Sequence, residues 1–187
     1  MWDLLPKPPQ KNIIGTKWVF RNKLNEQGEV TRNKARLVAQ GYIKQEGIDY
    51  TETFAPVVRL EATRLLISYA FNHGIILYQM DVNSAFLNGV IEEEVYVKQP
   101  PGFEDLKHPD HVYKLKKSLY GLKQAPRAWY DRLSNFLIKK DFKRGQVDTT
   151  LFRSVTPQFP DIKISLNRSI YQSNITKECH ISQQQNL

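Results

Sequence analysis

The chain has 187 residues, of which 41% are hydrophobic, and its formal net charge at pH 7 is +8. This size and composition are ordinary for one globular domain with a core. No apolar run approaches the roughly 20 residues of a membrane helix, and the first residues lack the charged-then-apolar order of a signal peptide. We therefore expect an intracellular protein, cytoplasmic or nuclear, neither secreted nor membrane-bound. The single cysteine, Cys179, excludes an internal disulfide and a cysteine-based zinc site.

Basic segments flank an acidic middle of the chain. Residues 11–44 contain eight Lys or Arg and two acids, and residues 114–144 contain ten and two. Residues 45–113 contain four bases and eleven acids. This distribution predicts a surface that binds a polyanion around a site able to hold cations. The alternative is a solvated basic surface without a partner.

The pattern of the first 40 residues predicts an extended lead-in segment followed by a β-hairpin. Residues 1–10 contain three prolines and cannot be helical. Alternation over residues 13–40, interrupted by "NEQGE", predicts a hairpin with Trp18 and Phe20 on one face. In its second strand Lys34 and Arg36 share a face, where they could clamp a triphosphate or a nucleic-acid backbone. A solvated strand face is the alternative for this pair.

The middle of the chain alternates predicted helices and strands. "LEATRLLISYAFNHG" has helical spacing and ends at Gly74, a typical C-cap. "IILYQMDV" follows as a buried strand, and a turn or short helix comes next. Two further short strands are predicted in "EEEVYVKQPPGF" and "HVYKLKKS". A last helix begins near Pro126, and its apolar stripe is expected to contain Trp129, Leu133, Phe136 and Leu137.

The carboxy-terminal segment 153–187 differs in composition from the rest of the chain. It is polar and rich in Gln and Asn, and only "DIKISLN" alternates like a strand. We expect this segment to be poorly ordered, although that one stretch could fill a sheet position.

Asp81 is the candidate metal ligand. It stands near the end of the predicted buried strand, in "QMDVNSAFLNG". An acid at a strand end is more often a turn or capping residue than a ligand. Its apolar neighbours favour a rigidly held carboxylate, which suits Mg²⁺ together with waters and substrate phosphates.

Three stretches resemble the opening part of the reverse transcriptase of copia-type LTR retrotransposons. They are "GTKWVFRNKLNEQGEVTRNKARLVAQGYIKQEGIDYTETFAPVVRLEATRLLI", "QMDVNSAFLNGVIEEEVYVKQPPGF" and "KLKKSLYGLKQAPRAWYDRL". The similarity runs in order from about Trp2 to Phe152, and "LYGLKQAPRAWY" is highly specific. It implies an α+β right-hand polymerase fold, in which residues 11–152 form the fingers and part of the palm, with a mixed or antiparallel sheet and packed helices.

The resemblance also implies a reaction, nucleotidyl transfer assisted by two metal ions. Palm carboxylates in such polymerases hold two Mg²⁺ ions, which activate the primer 3′-hydroxyl and neutralise the departing pyrophosphate. Asp81 matches the first of these carboxylates, and the backbone carbonyl of Val82 would add a ligand. The implied partners are an RNA or DNA template-primer and an incoming dNTP.

Four further residues match the family's dNTP site. Lys34 and Arg36 resemble the fingers cations that hold the triphosphate. Phe86 matches an aromatic gate against the ribose 2′-hydroxyl, although a core Phe is an equal alternative. Gln124 matches a glutamine beside the dNTP sugar, with an ordinary loop amide as its alternative.

The chain departs from the family in one respect. The second metal-binding element, a hairpin with two consecutive aspartates, has no counterpart, because the sequence contains no Asp-Asp pair. One carboxylate and a triphosphate cannot easily hold two divalent ions against their repulsion. We therefore expect a truncated copy that is inactive alone, and self-association through an incomplete palm sheet.

Two other readings stay open on the sequence. The chain could be a non-catalytic nucleic-acid-binding module that uses its two basic segments, with affinity that falls steeply with salt. It could also be a retrotransposon relic without function, for which the absence of a cooperative unfolding transition would be evidence.

Overall fold

The computed structural model describes residues 2–43, 50, 52–75, 77–80, 82–154, 163–166 and 170–173. Within them the chain is of the α+β class, with a mixed sheet, further antiparallel strands and two α-helices. Two compact units are Met1–Phe54 with Phe86–Trp129, and Ala55–Ala85 with Tyr130–Leu187. None of the helices in the described part is long and apolar enough to cross a membrane.

The strands are β1 (Trp2–Leu5), β2 (Ile13–Ile14), β3 (Thr16–Leu24), β4 (Val30–Ala39), β5 (Leu77–Met80), β6 (Tyr96–Lys98), β7 (Val112–Leu115), β8 (Phe142–Arg144), β9 (Leu151–Ser154), β10 (Lys163–Leu166) and β11 (Ile170–Ser173). The helices are α1 (Leu60–Asn72) and α2 (Ala125–Lys139), and short 3₁₀ helices cover Gly41–Ile43 and Ala85–Asn88.

A four-stranded mixed sheet forms the core of the first unit. Its order is β1-β7-β6-β2, with β2 parallel to β6 and the other pairs antiparallel. The expected extended lead-in is thus a sheet strand, and Trp2 stacks on Tyr113 with ring centroids 5.2 Å apart. The buried apolar cluster of this unit consists of Ile14, Ala39, Ile91, Val95, Val97, Leu115, Leu119, Leu122 and Ala125.

Strands β3 and β4 form the predicted hairpin. They pair antiparallel from Thr16 opposite Ala39, and a register shift follows at Lys23 and Leu24. Gly28 in the connecting turn has φ +83°, which a glycine adopts without strain. The rings of Trp18 and Phe20 stack with centroids 6.4 Å apart, which confirms that they share a face.

A five-stranded antiparallel sheet belongs to the second unit. Its order is β5-β11-β10-β9-β8. Strand β10 lies in "DIKISLN", so this stretch fills a sheet position as the sequence suggested. Most of residues 153–187 lie outside the described residues. The buried residues Tyr130, Leu137 and Phe152 form the second apolar cluster.

Helix α1 covers the predicted segment and ends as predicted. Gly74 has φ +63°, and its N–H donates to the carbonyl of Phe71 while that of Ile75 donates to Ala70. This pair of bonds is the Schellman C-cap. Ala70 is the one buried residue of this helix, and Leu65 is 72% exposed.

Helix α2 begins at Ala125, with Pro126 in its first turn as predicted. A proline is tolerated there because its missing N–H has no partner within the helix. Leu137 on the predicted apolar stripe is buried, whereas Phe136 on the same stripe is 42% exposed.

Glu94 joins two lysines at the surface of the first unit. Its carboxylate lies 2.9 Å from Nζ of Lys11 and 2.7 Å from Nζ of Lys114. The hydrogen bond from Lys114, followed by that from Lys11, lowers the pKa of Glu94 to about 2. Because these groups are exposed, the network fixes side-chain positions more than it stabilises the fold.

The segment Tyr120–Leu122 packs its backbone against the end of β4. The N–H of Ala39 donates to the carbonyl of Tyr120 at 2.7 Å. Gly121 has φ +89°, and a Cβ there would overlap the carbonyl oxygen of Ala39. A Cβ on Gly41 would in turn overlap the carbonyl oxygen of Gly121. Glycine is therefore required on both sides of this contact.

We predict that Gly121→Ala lowers the free energy of unfolding by at least about 2 kcal/mol, because it adds a steric clash to an unfavourable φ. Gly28→Ala is the matched control, since Gly28 has nearly the same φ but nothing within 4 Å of its Cβ position. It should cost about 1 kcal/mol. Urea unfolding of both variants measures the difference, and equal losses would contradict the tight contact.

Candidate functional site

One face of the β3–β4 hairpin carries only basic and aliphatic residues up to the register shift at Lys23 and Leu24. Residues directly opposite in an antiparallel pair share a face, and Arg21 stands opposite Lys34 while Val19 stands opposite Arg36. Lys23 stands opposite Arg32. The cations of this face, called here the basic hairpin face, are Lys17, Arg21, Lys23, Arg32, Lys34 and Arg36. Like charges directly opposite each other are destabilising, so this face favours a bound anion.

The opposite face of the hairpin is aromatic. The Trp18 ring lies 5.5 Å from that of Phe103, and its Nε1–H donates to the carbonyl of Pro101 at 3.0 Å. Phe20 is 74% exposed and Phe103 is 71% exposed. The hairpin therefore presents stacking surface on one side and positive charge on the other.

Arg36 of the basic hairpin face lies over an aromatic ring. Its guanidinium carbon lies 5.7 Å from the ring centroid of Tyr120, a cation–π arrangement. The backbone contact between Ala39 and Tyr120 fixes this ring beside β4. Lys34 and Arg36 are both half-buried, whereas Arg21 and Arg32 are exposed. The structure therefore holds the predicted pair more firmly than the other cations of the face.

Phe86 lies in the 3₁₀ helix Ala85–Asn88 and contacts the same aromatic ring. Its centroid is 5.9 Å from that of Tyr120, edge to face. Its carbonyl accepts hydrogen bonds from the hydroxyl of Ser118 and from the N–H of Gly89. Phe86 also packs on the apolar cluster of the first unit. Arg36, Tyr120 and Phe86 thus form one contact chain, in which Phe86 is also a core residue.

Gln124 is buried immediately before helix α2. It is 3% exposed, and its backbone carbonyl accepts the hydrogen bond of Ala128 at 2.9 Å. Within the described part of the chain, neither Oε1 nor Nε2 of its side chain has a hydrogen-bond partner. Buried amides are almost always hydrogen-bonded, so an unpartnered buried amide is a candidate ligand contact.

Asp81 lies outside the described residues, and Val82 belongs to the second unit. Val82 is half-buried and packs on the cluster of Tyr130, Leu137 and Phe152. The structure therefore brings Arg36 and Phe86 together in the first unit but gives no geometry between them and Asp81. Lys34, Arg36, Phe86 and Gln124 all lie in the first unit.

The described residues near β5 supply no set of ligands for a pair of divalent cations. The described residues contain no group of three or more His, Cys, Asp or Glu side chains that could hold a metal ion. None of the five strands in this sheet contains an Asp or Glu. Two closely spaced divalent ions require several carboxylates, and the described strands of this sheet add none to Asp81.

Sequence reasoning missed two contributors to the candidate site. Tyr120 orients Arg36 and contacts Phe86, and it stands inside "LYGLKQAPRAWY", the motif that carries the resemblance. Arg32 extends the basic hairpin face opposite Lys23. The strand alternation that placed Lys34 and Arg36 together contains the same information for Arg32, two positions earlier.

The family of the chain follows from comparison with known proteins. Residues 1–160 match the family described as reverse transcriptase (RNA-dependent DNA polymerase). The chain therefore belongs to this family. No solved structure matches it significantly.

Its curated relatives are retrotransposon polyproteins of the copia type. The chain is 48% identical over 152 residues to the retrovirus-related Pol polyprotein from transposon RE1 of Arabidopsis thaliana, covering 81% of this chain and 10% of the relative. It is 40% identical over 151 residues to that from transposon TNT 1-94 of Nicotiana tabacum, covering 81% and 11%. It is 33% identical over 153 residues to the truncated transposon Ty1-A Gag-Pol polyprotein of Saccharomyces cerevisiae, covering 76% and 12%. The chain thus spans about a tenth of the length of these relatives.

We predict that Gln124→Met raises the free energy of unfolding by about 1–3 kcal/mol, because it replaces a desolvated amide without partners by an apolar side chain of similar length. Urea unfolding without ligand measures this change. Gln99→Met is the control, because the amide of Gln99 is also buried but donates to the carbonyls of His108 and His111. That variant should be destabilised, and destabilisation of both would show that Gln124 has a structural partner.

Proposed function

We propose that this chain is the fingers and part of the palm of a copia-type reverse transcriptase, and that it binds template-primer and dNTP but transfers no nucleotide by itself. The first unit, with its basic hairpin, would be the fingers, and the second unit, with its five-stranded sheet, would be part of the palm. The observation that carries the binding half of the proposal is the basic hairpin face, in a chain that belongs to the reverse transcriptase family.

The phosphates would be held at the half-buried end of the basic hairpin face. Arg36 is oriented by the ring of Tyr120, and a planar guanidinium can bind two phosphate oxygens at once. Lys34 would add a second positive charge on the same face. The exposed cations Arg21 and Arg32 would contact the nucleic-acid backbone, where affinity depends on the number of phosphates neutralised.

The sugar of the incoming nucleotide would contact Gln124 and Phe86. The unpartnered amide of Gln124 supplies one donor group and one acceptor, which suits sugar hydroxyls. The ring of Phe86, held edge to face against Tyr120, would exclude a ribose 2′-hydroxyl by its bulk. Its packing on the core keeps the ring in place, so the gate role and the core role are compatible.

The catalytic half of the family's mechanism is proposed to be missing. Asp81, with the backbone carbonyl of Val82, would be able to hold one Mg²⁺. A second ion needs further carboxylates, and the chain has no Asp-Asp pair. Without that ion the primer hydroxyl and the leaving pyrophosphate are not both stabilised, so extension by this chain alone should be negligible.

A second candidate function is a nucleic-acid-binding module without a nucleotide site. It is favoured by the charge of the hairpin, which needs no metal to bind a polyanion. The two proposals differ in dNTP binding. Mg²⁺-dependent binding of dNTP that is lost in Asp81→Ala and in Gln124→Met supports the polymerase segment, whereas salt-sensitive RNA binding alone supports the module. A chain without cooperative unfolding would be a relic.

The test of nucleic-acid binding is fluorescence anisotropy of a labelled single-stranded RNA between 50 and 200 mM salt. We predict that Arg21→Gln with Arg32→Gln lowers the slope of log Kd against log salt by about 1.4, since each phosphate contact on a single strand contributes about 0.7. The control removes two exposed lysines outside the hairpin, Lys7→Gln with Lys107→Gln. Equal slopes in the two double variants would contradict binding through the basic hairpin face.

A further inference from the structure

Two histidines stand at the ends of one tight turn, residues 108–111, called here the histidine turn. The N–H of His111 donates to the carbonyl of His108 at 3.1 Å, which closes the turn. Pro109 occupies the second position, where a proline fixes the backbone of a β-turn. The two imidazole rings have centroids 4.6 Å apart and planes tilted by 53°, so they are neighbours that are not stacked face to face.

The buried side chain of Gln99 holds both ends of the histidine turn. Gln99 is 7% exposed, and its Nε2 donates to the carbonyl of His108 at 2.9 Å and to that of His111 at 3.1 Å. Its Oε1 accepts the N–H of Asp105 at 2.7 Å. One buried amide therefore fixes the backbone beneath both rings. The backbone needs no rearrangement when the two rings bind one ligand together, which favours binding.

The separation of the rings is that of two imidazoles bound to one ion. An ion about 2.1 Å from an imidazole nitrogen lies about 3.2 Å from the centre of that ring. Two rings that bind the ion at a right angle then have centroids about 4.5 Å apart, whereas a tetrahedral angle gives about 5.2 Å. The observed 4.6 Å fits the right angle. Right angles occur in the square-planar and tetragonal coordination of Cu²⁺ and Ni²⁺.

The charges around the histidine turn favour a cation. Residues 99–111 contain three acids and one lysine, in a chain whose formal net charge is +8. Oδ1 of Asp105 lies 3.8 Å from Nδ1 of His108. A histidine that binds a metal directs its other ring nitrogen to such a carboxylate, which leaves Nε2 for the ion. The side chain of His108 is 50% exposed, so an ion with its waters can reach the ring.

We infer that His108 and His111 together bind one divalent transition-metal ion, Cu²⁺ or Ni²⁺. The described residues contain no group of three such side chains, so water completes the coordination. This inference goes beyond the proposed function, because Mg²⁺ prefers oxygen ligands whereas imidazole selects transition metals. The bound ion joins the two ends of the turn and thereby stabilises the loop 99–111, which also accepts the indole N–H of Trp18 at the carbonyl of Pro101.

The test is titration of the untagged full chain with Cu²⁺, followed by calorimetry and by electron paramagnetic resonance. We predict that the strongest site holds one Cu²⁺ with two coordinated imidazoles, counted from the electron spin-echo envelope modulation. His108→Gln and His111→Gln should each weaken Cu²⁺ binding at least about tenfold and leave one imidazole at most. Because both side chains bind the same ion, the double variant should lose little more than either single variant.

The matched control is His73→Gln. It removes the same kind of side chain from an exposed position, where Nδ1 of His73 lies 2.9 Å from the carbonyl of Tyr69. This variant should bind Cu²⁺ as the wild type does. Without metal, all three single variants should have the urea midpoint of the wild type, because substitutions of exposed side chains have small effects on stability.

Stability in the presence of metal gives a second readout. Excess Ni²⁺ should raise the urea midpoint of the wild type and of His73→Gln, because an ion that binds the folded state stabilises it. The midpoints of His108→Gln and His111→Gln should rise less or not at all.

Three results would overturn the inference: one coordinated imidazole in the wild type, unchanged Cu²⁺ affinity in His111→Gln, or displacement of Cu²⁺ by excess Mg²⁺. An equal loss in His73→Gln and His111→Gln would show adventitious binding to surface histidines and would overturn it as well. None of these results affects the proposed function, which is tested by dNTP and RNA binding.

Discussion

The close approach of Gly121 to the end of β4 is the contact on which the candidate site of the first unit depends. Two glycines let the backbones meet, and the hydrogen bond from Ala39 to Tyr120 holds them in register. Because Tyr120 is fixed there, its ring lies beneath Arg36 and against Phe86. Gln124 follows only four residues later, at the start of α2. One backbone contact thus positions the ring of Tyr120 between Arg36 and Phe86, four residues before the unpartnered amide of Gln124.

The lack of clustered carboxylates, rather than a lack of packing, is the reason why we propose that this chain transfers no nucleotide by itself. Two divalent ions a few ångströms apart repel each other strongly, and only a cluster of carboxylates with the substrate phosphates offsets that repulsion. The five-stranded sheet of the second unit contains no acid in its strands, and its solvent face carries Lys143 and Arg153. A surface of this sign repels cations and attracts phosphate. The described strands of this sheet therefore supply no carboxylate that could hold such ions.

The sequence predicted the local structure well and the packing less well. Alternation placed Trp18 with Phe20 and Lys34 with Arg36, because the period of a strand needs no tertiary information. Helical spacing also identified α1, but it could not reveal that Leu65 stays exposed, since burial depends on what packs against the helix. Tyr120 was missed as a site residue because its role arises from a contact with a strand some eighty residues earlier.

The central claim is that the chain binds its nucleic-acid partners without transferring nucleotides, and primer extension on an RNA template with Mg²⁺ and dNTPs tests it most directly. The wild-type chain and Asp81→Ala should be compared over a range of protein concentrations, in samples that unfold cooperatively and bind the template-primer. We predict no extension by either protein at any concentration. Extension by the wild type that disappears in Asp81→Ala would contradict the account, because it would mean that other carboxylates complete the metal site. A rise of that activity steeper than linear in protein concentration would assign those carboxylates to a second copy of the chain.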